Sequence, residues 1–250
     1  MERRKVKAKA AGKTAAFSDF SVKRHRVYRY LIHYLYPNRC PACDRMIGYN
    51  DLFCDRCEER LVRYEKDFPV ENADAFSAFC VYKGAMRGVI LRFKENPCGN
   101  TAFAFAGCIF RALDERSLCD EIDVIAYIPM LRADLEKRGY NQTELIAREL
   151  RYFIKAPCAE LLEKCRKTSE QKSLDGDERK KNVLGAFRVV DAEAIRGKKI
   201  LLLDDLCTTG STLSEAAGAL KEAGAVKVIA AVFAKTPYRK EDIEYIDETD

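Results

Sequence analysis

One stretch of this chain constrains its fold more than any other: residues 199–216, which read "KILLLDDLCTTGSTLSEA". A continuous apolar run predicts a strand buried on both faces, and two aspartates end that run. A short threonine, glycine and serine segment then leads into a pattern with helical spacing. This order places acids and hydroxyls at the carboxyl end of a strand, where open α/β sheets bind ligands.

The remaining sequence repeats the alternation of apolar strands and amphipathic helices, which predicts an α/β fold. Its sheet should be mostly parallel, with helices on both faces. Strands are predicted at residues 75–82, 122–129, 186–190, 199–204 and 226–234. Helices are predicted at residues 84–92, 101–114, 141–153 and 211–224, the last ending at a glycine.

The predicted organisation has a small N-terminal module and one large domain. It comprises a basic tail (1–25), an aromatic helix followed by a cysteine-rich module (26–63), the main domain (75–238) and an acidic tail (239–250). Both tails read as solvated ends, and the basic one alternatively as an arm for nucleic-acid phosphates. Residues 163–184 are polar and charged, so they form either a mobile hood over a ligand or a plain surface excursion.

Two Cys-x-x-Cys pairs mark the cysteine-rich module: Cys40 with Cys43, and Cys54 with Cys57. Each pair places two thiolates on one tight turn, so together they predict a structural zinc site with four sulfur ligands. Redox pairs or disulfides are the alternative. Arginines and aromatic residues interleave around the module, which indicates either a single-strand nucleic-acid platform or a solvated rim.

The segment after the two aspartates has the chemistry of a monophosphate cradle. Backbone amides at a helix start favour an anion, and Gly210 lets the backbone approach it closely. The segment is neither a Walker A loop nor a dinucleotide fingerprint, because the required glycine and lysine pattern is absent. The acids should face hydroxyls or a cation. A sugar with two neighbouring hydroxyls beside a phosphate would fit both the acid pair and the phosphate cradle.

This strand–acid–acid–Thr-Thr-Gly pattern resembles the type I phosphoribosyltransferases. The resemblance implies that Asp204 and Asp205 are the catalytic acids, contacting the ribose hydroxyls of phosphoribosyl pyrophosphate. It implies Mg²⁺ bound with the pyrophosphate. It also assigns the 5-phosphate to Thr208, Thr209, Gly210, Ser211 and Thr212.

A wider resemblance, to the ComF family of competence proteins, covers most of the chain. It is carried by the cysteine pairs and by four further motifs. These are "YKGAMRGVILRF" at 82–93, "YIPM" at 127–130, "RGYNQ" at 138–142, and a Gln-x-x-Leu plus "RKKNVLGAF" segment at 171–187. Arg92 stands where the family usually has lysine.

The ComF resemblance implies a role in DNA uptake and leaves two functions open. The chain either transfers phosphoribosyl to an unknown acceptor or is a non-catalytic module for single-stranded DNA beside a helicase partner. Lys94 is a further candidate cation near the site. The expected substrate contacts outside the loop are Arg92, Arg138, Asn141, Gln142, Lys167, Gln171 and Arg179.

Several function classes are excluded at this level. The only histidines, His25 and His33, lie in the N-terminal region, so no Ser-His-Asp or Cys-His site is expected in the main domain. His33 is expected to pack or to contact a partner, and Cys207 to be a small buried residue. No membrane insertion and no secretory signal are expected, so we predict a cytoplasmic protein with reduced thiols.

Overall fold

The computed structural model describes residues 19–96, 99–165 and 185–237. The acidic tail, residues 1–18 of the basic tail and most of the predicted hood lie outside these residues, and residues 19–25 of the basic tail are helical. Within the described ranges, no helix combines the length and the apolar character that crossing a membrane requires.

The core of the molecule is a parallel sheet of four strands, as predicted. In the order of the sheet they are β1 (Ala75–Val81), β6 (Lys227–Lys235), β5 (Lys199–Cys207) and β2 (Val124–Tyr127). β5 is therefore flanked by a strand on each side, with Leu203 opposite both Tyr127 and Ala231. Both edges of the aspartate-bearing strand are covered, so its carboxyl end lies at the centre of the sheet edge.

Helices cover both faces of the sheet, because its strands are apolar on both sides. One core cluster joins α3 (Ala85–Glu95), α4 (Gly99–Asp114) and α6 (Gln142–Ile154) to the sheet. The other joins α7 (Ser211–Glu222) to the opposite face. Gly224 adopts a left-handed φ of 98° directly after α7, as the sequence predicted for the residue that ends this helix.

Several elements differ from the prediction. Residues 186–190 do form a strand, β4 (Phe187–Val189), but it pairs antiparallel with β3 (Leu162–Lys164) in a separate ribbon. Phe187 of this strand packs in the cluster of α7. A short helix, α5 (Arg132–Arg138), was not predicted, and β5 continues through both aspartates.

The N-terminal helix and the cysteine module pack on α4. These elements are α1 (Asp19–Leu35) and the short α2 (Asp55–Glu58). Arg29 lies over the ring of Phe103, 3.3 Å from its centroid, and donates a hydrogen bond to the Tyr49 carbonyl. A Cβ at Gly107 of α4 would lie 2.6 Å from the Leu52 side chain, so the module approaches this helix closely.

Candidate functional site

The two aspartates lie in the last part of β5 and have different surroundings. Asp205 is 3% exposed, and its carboxylate lies 2.9 Å from the Lys94 ammonium at the end of α3. Asp204 is less buried, and its Oδ1 accepts a hydrogen bond from the Asp205 backbone amide. Successive strand residues project to opposite faces, which explains why only Asp205 reaches α3.

The charges of Lys94, Asp204 and Asp205 influence one another. Burial and then the neighbouring Asp205 carboxylate raise the pKa of Asp204 to about 8, against the lowering influence of the Lys94 ammonium. Burial opposes the charge of Lys94, but the pKa of Lys94 is raised because the carboxylate of Asp205 outweighs that cost. The strand end is thus a cluster in which the Lys94 ammonium lies near two carboxyl groups and partly offsets the rise in the pKa of Asp204.

The loop after β5 has the form expected of an anion cradle. Gly210 precedes α7 with a left-handed φ of 83°, and the Ser214 amide donates to its carbonyl. The amides of the first helical turn have no acceptor within the helix, so they favour an anion. The hydroxyls of Thr209 and Ser211 lie 2.9 Å apart and add donors at the same helix start.

Two residues that were not predicted from the sequence, Lys235 and Phe68, pack against this loop. Lys235, fully buried at the end of β6, donates hydrogen bonds to the carbonyls of Thr208 and Thr236. Its ammonium also lies 4.1 Å from the centroid of the Phe68 ring, and a Cβ at Gly210 would lie 3.0 Å from the same ring. The available signal was a lysine directly after a buried strand at the ligand-binding edge.

A cavity of about 500 Å³ adjoins the loop on the side of α7. Thr209, Gly210 and Ser211 form one part of its wall, and residues 69–72 form another. Neither Asp204 nor Asp205 lines this cavity. The acids and this cavity therefore flank the loop without sharing one enclosed pocket.

The segment after β2 comes to the same edge of the sheet, because β2 runs parallel to β5. Arg138 donates to Gln142 Oε1 and remains exposed, so its position is compatible with ligand contact. Asn141, expected as a substrate contact, is instead used structurally. Its amide oxygen caps α6 by accepting the Thr143 amide, and its amide nitrogen donates to the Ile128 carbonyl.

Arg92, expected to contact substrate, faces the cysteine module in the ligand-free protein. Its guanidinium donates to the carbonyls of Pro41 and Ala42, at 2.9 and 3.2 Å, inside the first cysteine pair. Lys94, two positions later, is the residue that faces the acids. The remaining predicted contacts, Lys167, Gln171 and Arg179, lie outside the described residues.

The four cysteines of the module form a candidate metal centre. Their sulfur atoms all lie within 4.8 Å of one another. The Cys43 and Cys54 sulfurs are 3.5 Å apart, too far for a disulfide of about 2.05 Å. A tetrahedral ion with Zn–S bonds of about 2.3 Å fits such a set and leaves no open position for catalysis. A hydrogen bond from the Arg45 amide is the main cause that lowers the pKa of the Cys43 thiol to about 7, which favours the thiolate that a metal binds.

His33 and Cys207 behave as structural residues. His33 Nδ1 accepts a hydrogen bond from the Asn38 amide, which closes the turn after α1. Cys207 is 2% exposed, and burial raises the pKa of its thiol to about 12. These residues therefore contribute to packing at the two ends of the molecule.

Comparison with known proteins agrees with both parts of the chain. Residues 31–68 match the double zinc ribbon domain, and residues 135–249 match the phosphoribosyl transferase domain. The DNA utilization protein YhgH of Escherichia coli K12 is 32% identical over 193 residues, covering 76% of this chain and 80% of that protein. YhgH of Salmonella typhi is 26% identical over 195 residues with the same coverage.

A competence protein is also among the relatives. Competence protein F of Haemophilus influenzae is 28% identical over 108 residues, which cover 42% of this chain and 47% of that protein. The zinc-ribbon match, the transferase-domain match and the YhgH relationship together establish membership. The chain belongs to the ComF family, in which a zinc ribbon is joined to a phosphoribosyltransferase-type domain.

Proposed function

We propose that this protein binds phosphoribosyl pyrophosphate at the end of β5 and transfers the phosphoribosyl group to a small nitrogenous acceptor. One observation carries the proposal: an acid pair and a hydroxyl-rich helix start meet at the carboxyl end of the central strand, with a cation beside them. The 5-phosphate would lie on residues 208–212, and the ribose hydroxyls would bind Asp204 and Asp205.

The transfer step follows from this placement. The acceptor attacks ribose C1, the bond from C1 to pyrophosphate breaks, and both electrons of that bond leave with pyrophosphate. Positive charge develops on the sugar, and the paired carboxylates are placed to stabilise it. The Lys94 ammonium, which pairs with Asp205 in the ligand-free protein, is placed to turn toward the departing pyrophosphate.

Magnesium fits this site as a companion of the substrate. It typically binds one or two carboxylates together with phosphate oxygens, and it keeps several waters. Asp204 and Asp205 offer the carboxylates. When bound, the ion would neutralise charge on the pyrophosphate oxygens and ease their departure.

A pyrophosphate-release assay tests the transfer. The wild-type protein is incubated with phosphoribosyl pyrophosphate, Mg²⁺ and a panel of amines, beside Asp205→Asn and a control, Asp120→Asn. Asp120 is exposed and precedes β2, at the opposite edge of the sheet. We expect release by the wild type and the control and a loss of about 100-fold or more in Asp205→Asn, as for other removed stabilising groups. Ligand binding without release by any acceptor would contradict transfer.

A second function, binding of single-stranded DNA, is favoured by the outer face of α1 and by the names of the relatives. Four tyrosines on or directly after this helix are more than half exposed. They are Tyr28, Tyr30, Tyr34 and Tyr36. Exposed Lys23, Arg24 and Arg26 lie on the same helix. Aromatic rings with interleaved cations suit stacked bases and phosphates.

Fluorescence anisotropy with a single-stranded oligonucleotide tests this second function. Tyr34→Ala should weaken binding by about 1–3 kcal/mol, because one stacked base is lost. Tyr34→Phe, which keeps the ring, is the matched control and should bind like the wild type. Affinity should also fall steeply with salt. Equal affinities of the two variants would remove α1 as the binding face.

A further inference from the structure

The last turn of α3 touches two sites that the sequence places far apart. Arg92 donates to the carbonyls of Pro41 and Ala42, which lie between the first two metal ligands. Lys94 pairs with Asp205 at the end of β5. Residues two apart on a helix do not face each other, so one turn bridges the cysteine cluster and the acid pair from opposite sides.

The turn has little freedom to move independently of these partners. Phe93, between the two cations, is 2% exposed and packs edge-on against Phe105 of α4. The Tyr140 hydroxyl lies 3.1 and 2.8 Å from the carbonyls of Phe93 and Lys94 and donates to this pair. Because Phe93 packs in the core between them, Arg92 and Lys94 are carried by one rigid turn.

The acceptors of Arg92 are set by the metal turn. The Asp44 amide donates to the Cys40 carbonyl, and Asp44 has a left-handed φ of 61°, so residues 40–44 form one tight turn between the two thiols. A bound ion fixes both ends of this turn and thereby the direction of the carbonyls of Pro41 and Ala42. We expect the turn to reorient when the ion is removed, so that Arg92 would lose two acceptors together.

We infer that Arg92 is a positioning residue that makes the metal-loaded cysteine turn part of the sugar-phosphate site, by fixing the α3 turn that holds Lys94 beside Asp205. The inference rests on the proposed function for the identity of the ligand. The structural link itself stands on Arg92, Lys94 and their contacts. Both hydrogen bonds to the cysteine turn come from a single guanidinium nitrogen, Nη2 of Arg92.

The test measures how fast the amine of Lys94 reacts with a labelling reagent. Zinc-loaded full-length protein is treated briefly with an amine-acylating reagent, and labelling of Lys94 relative to Lys199 is read by peptide mass spectrometry. Lys199 begins β5 at the opposite edge of the sheet, so general unfolding raises both signals whereas loss of the Asp205 pair raises Lys94 alone. Loss of the contact with Asp205 leaves the Lys94 amine accessible to the reagent, so its labelling should rise.

Three variants and one treatment are compared. Arg92→Met removes the donors, Arg92→Lys keeps one charge, and Arg87→Met changes an exposed arginine on the same helix. Chelation of zinc from the wild type should release the same two carbonyls from Arg92 without a mutation, and the Lys199 signal reports any wider unfolding. We expect several-fold faster Lys94 labelling after chelation and in Arg92→Met, an intermediate rate in Arg92→Lys, and no change in Arg87→Met.

Calorimetric titration of the same samples with phosphoribosyl pyrophosphate and Mg²⁺ separates the two proposals. Weakened binding in Arg92→Met and in the chelated protein, parallel to the labelling, supports both. A wild type that binds no phosphoribosyl pyrophosphate, but whose Lys94 responds to chelation, contradicts the proposed function and leaves the coupling supported. If Arg92→Met does not fold, the chelated wild type decides. If the labelling of Lys94 relative to Lys199 is unchanged in the chelated wild type, the inference is overturned.

Discussion

The cysteine cluster and the end of β5 are both marked by short motifs, but they draw their partners from different distances. All four thiols of the cluster come from residues 40–57, and local turns bring them together. The end of β5 depends on Lys94 and on Lys235, which reach it from α3 and β6. A site completed within one segment can be read from sequence, whereas one completed by distant residues requires the fold.

The largest expected effect comes from breaking the local site. Cys57→Ser should abolish stoichiometric zinc binding and cost several kcal/mol of folding free energy, because structural zinc contributes about 10–16 kcal/mol to such modules. Zinc content and thermal melting measure both effects. Cys119→Ser, at a half-buried thiol outside the cluster, is the control. Full zinc retention in Cys57→Ser would contradict the four-sulfur site.

The next largest effect is expected from Lys235, which supports the loop after β5 from the neighbouring strand β6. Lys235→Met should remove the hydrogen bonds from this ammonium to the carbonyls of Thr208 and Thr236, at a cost of about 1.5–3 kcal/mol for a hydrogen bond to a charged group. The Thr208 carbonyl keeps a hydrogen bond from Thr236 Oγ1. Affinity for phosphoribosyl pyrophosphate should fall as well, because the loop backbone is released. Urea unfolding and calorimetry provide the measurements. Exposed Lys137→Met is the control, and identical stability of the two variants would show that the buried ammonium is dispensable.

A smaller effect is expected at the glycine of the loop. Gly210→Ala places a side chain at a φ of 83° and within 3.0 Å of Phe68, so it should cost more than the about 1–2 kcal/mol of left-handed strain alone. Gly197→Ala, at a φ of 73° with open space around its Cβ, isolates that strain. Equal losses in the two variants would mean that Phe68 does not limit the loop.

The smallest effect is the pH dependence contributed by Asp204. Its pKa is raised to about 8 in the folded protein from about 3.9 when unfolded, so the native state holds the proton more tightly. Its contribution to stability is present below about pH 4 and is lost as the pH rises toward 8. Asp204→Asn should flatten this decline in a urea unfolding series, whereas Asp120→Asn should not. Parallel curves for all three proteins would exclude a raised pKa.

The sequence predicted the parallel sheet, its main helices and the cysteine cluster, because each depends on local periodicity or spacing. Residues 186–190 were correctly predicted as a strand, but the pattern did not show that their partner is β3 rather than the central sheet. Arg92 and Asn141 were taken for ligand contacts because both lie near the motifs. Their side chains bind backbone carbonyls instead, which only the packing of α3 and α6 reveals.

The proposed sugar-phosphate site is tested most directly by calorimetric titration of the wild type and an Asp204→Asn, Asp205→Asn double variant with phosphoribosyl pyrophosphate and Mg²⁺. A circular dichroism spectrum like that of the wild type would show that the double variant is folded. The account predicts one ligand bound per wild-type chain and a loss of binding in the double variant. Absence of binding by the wild type, or equal binding by both proteins, would contradict it.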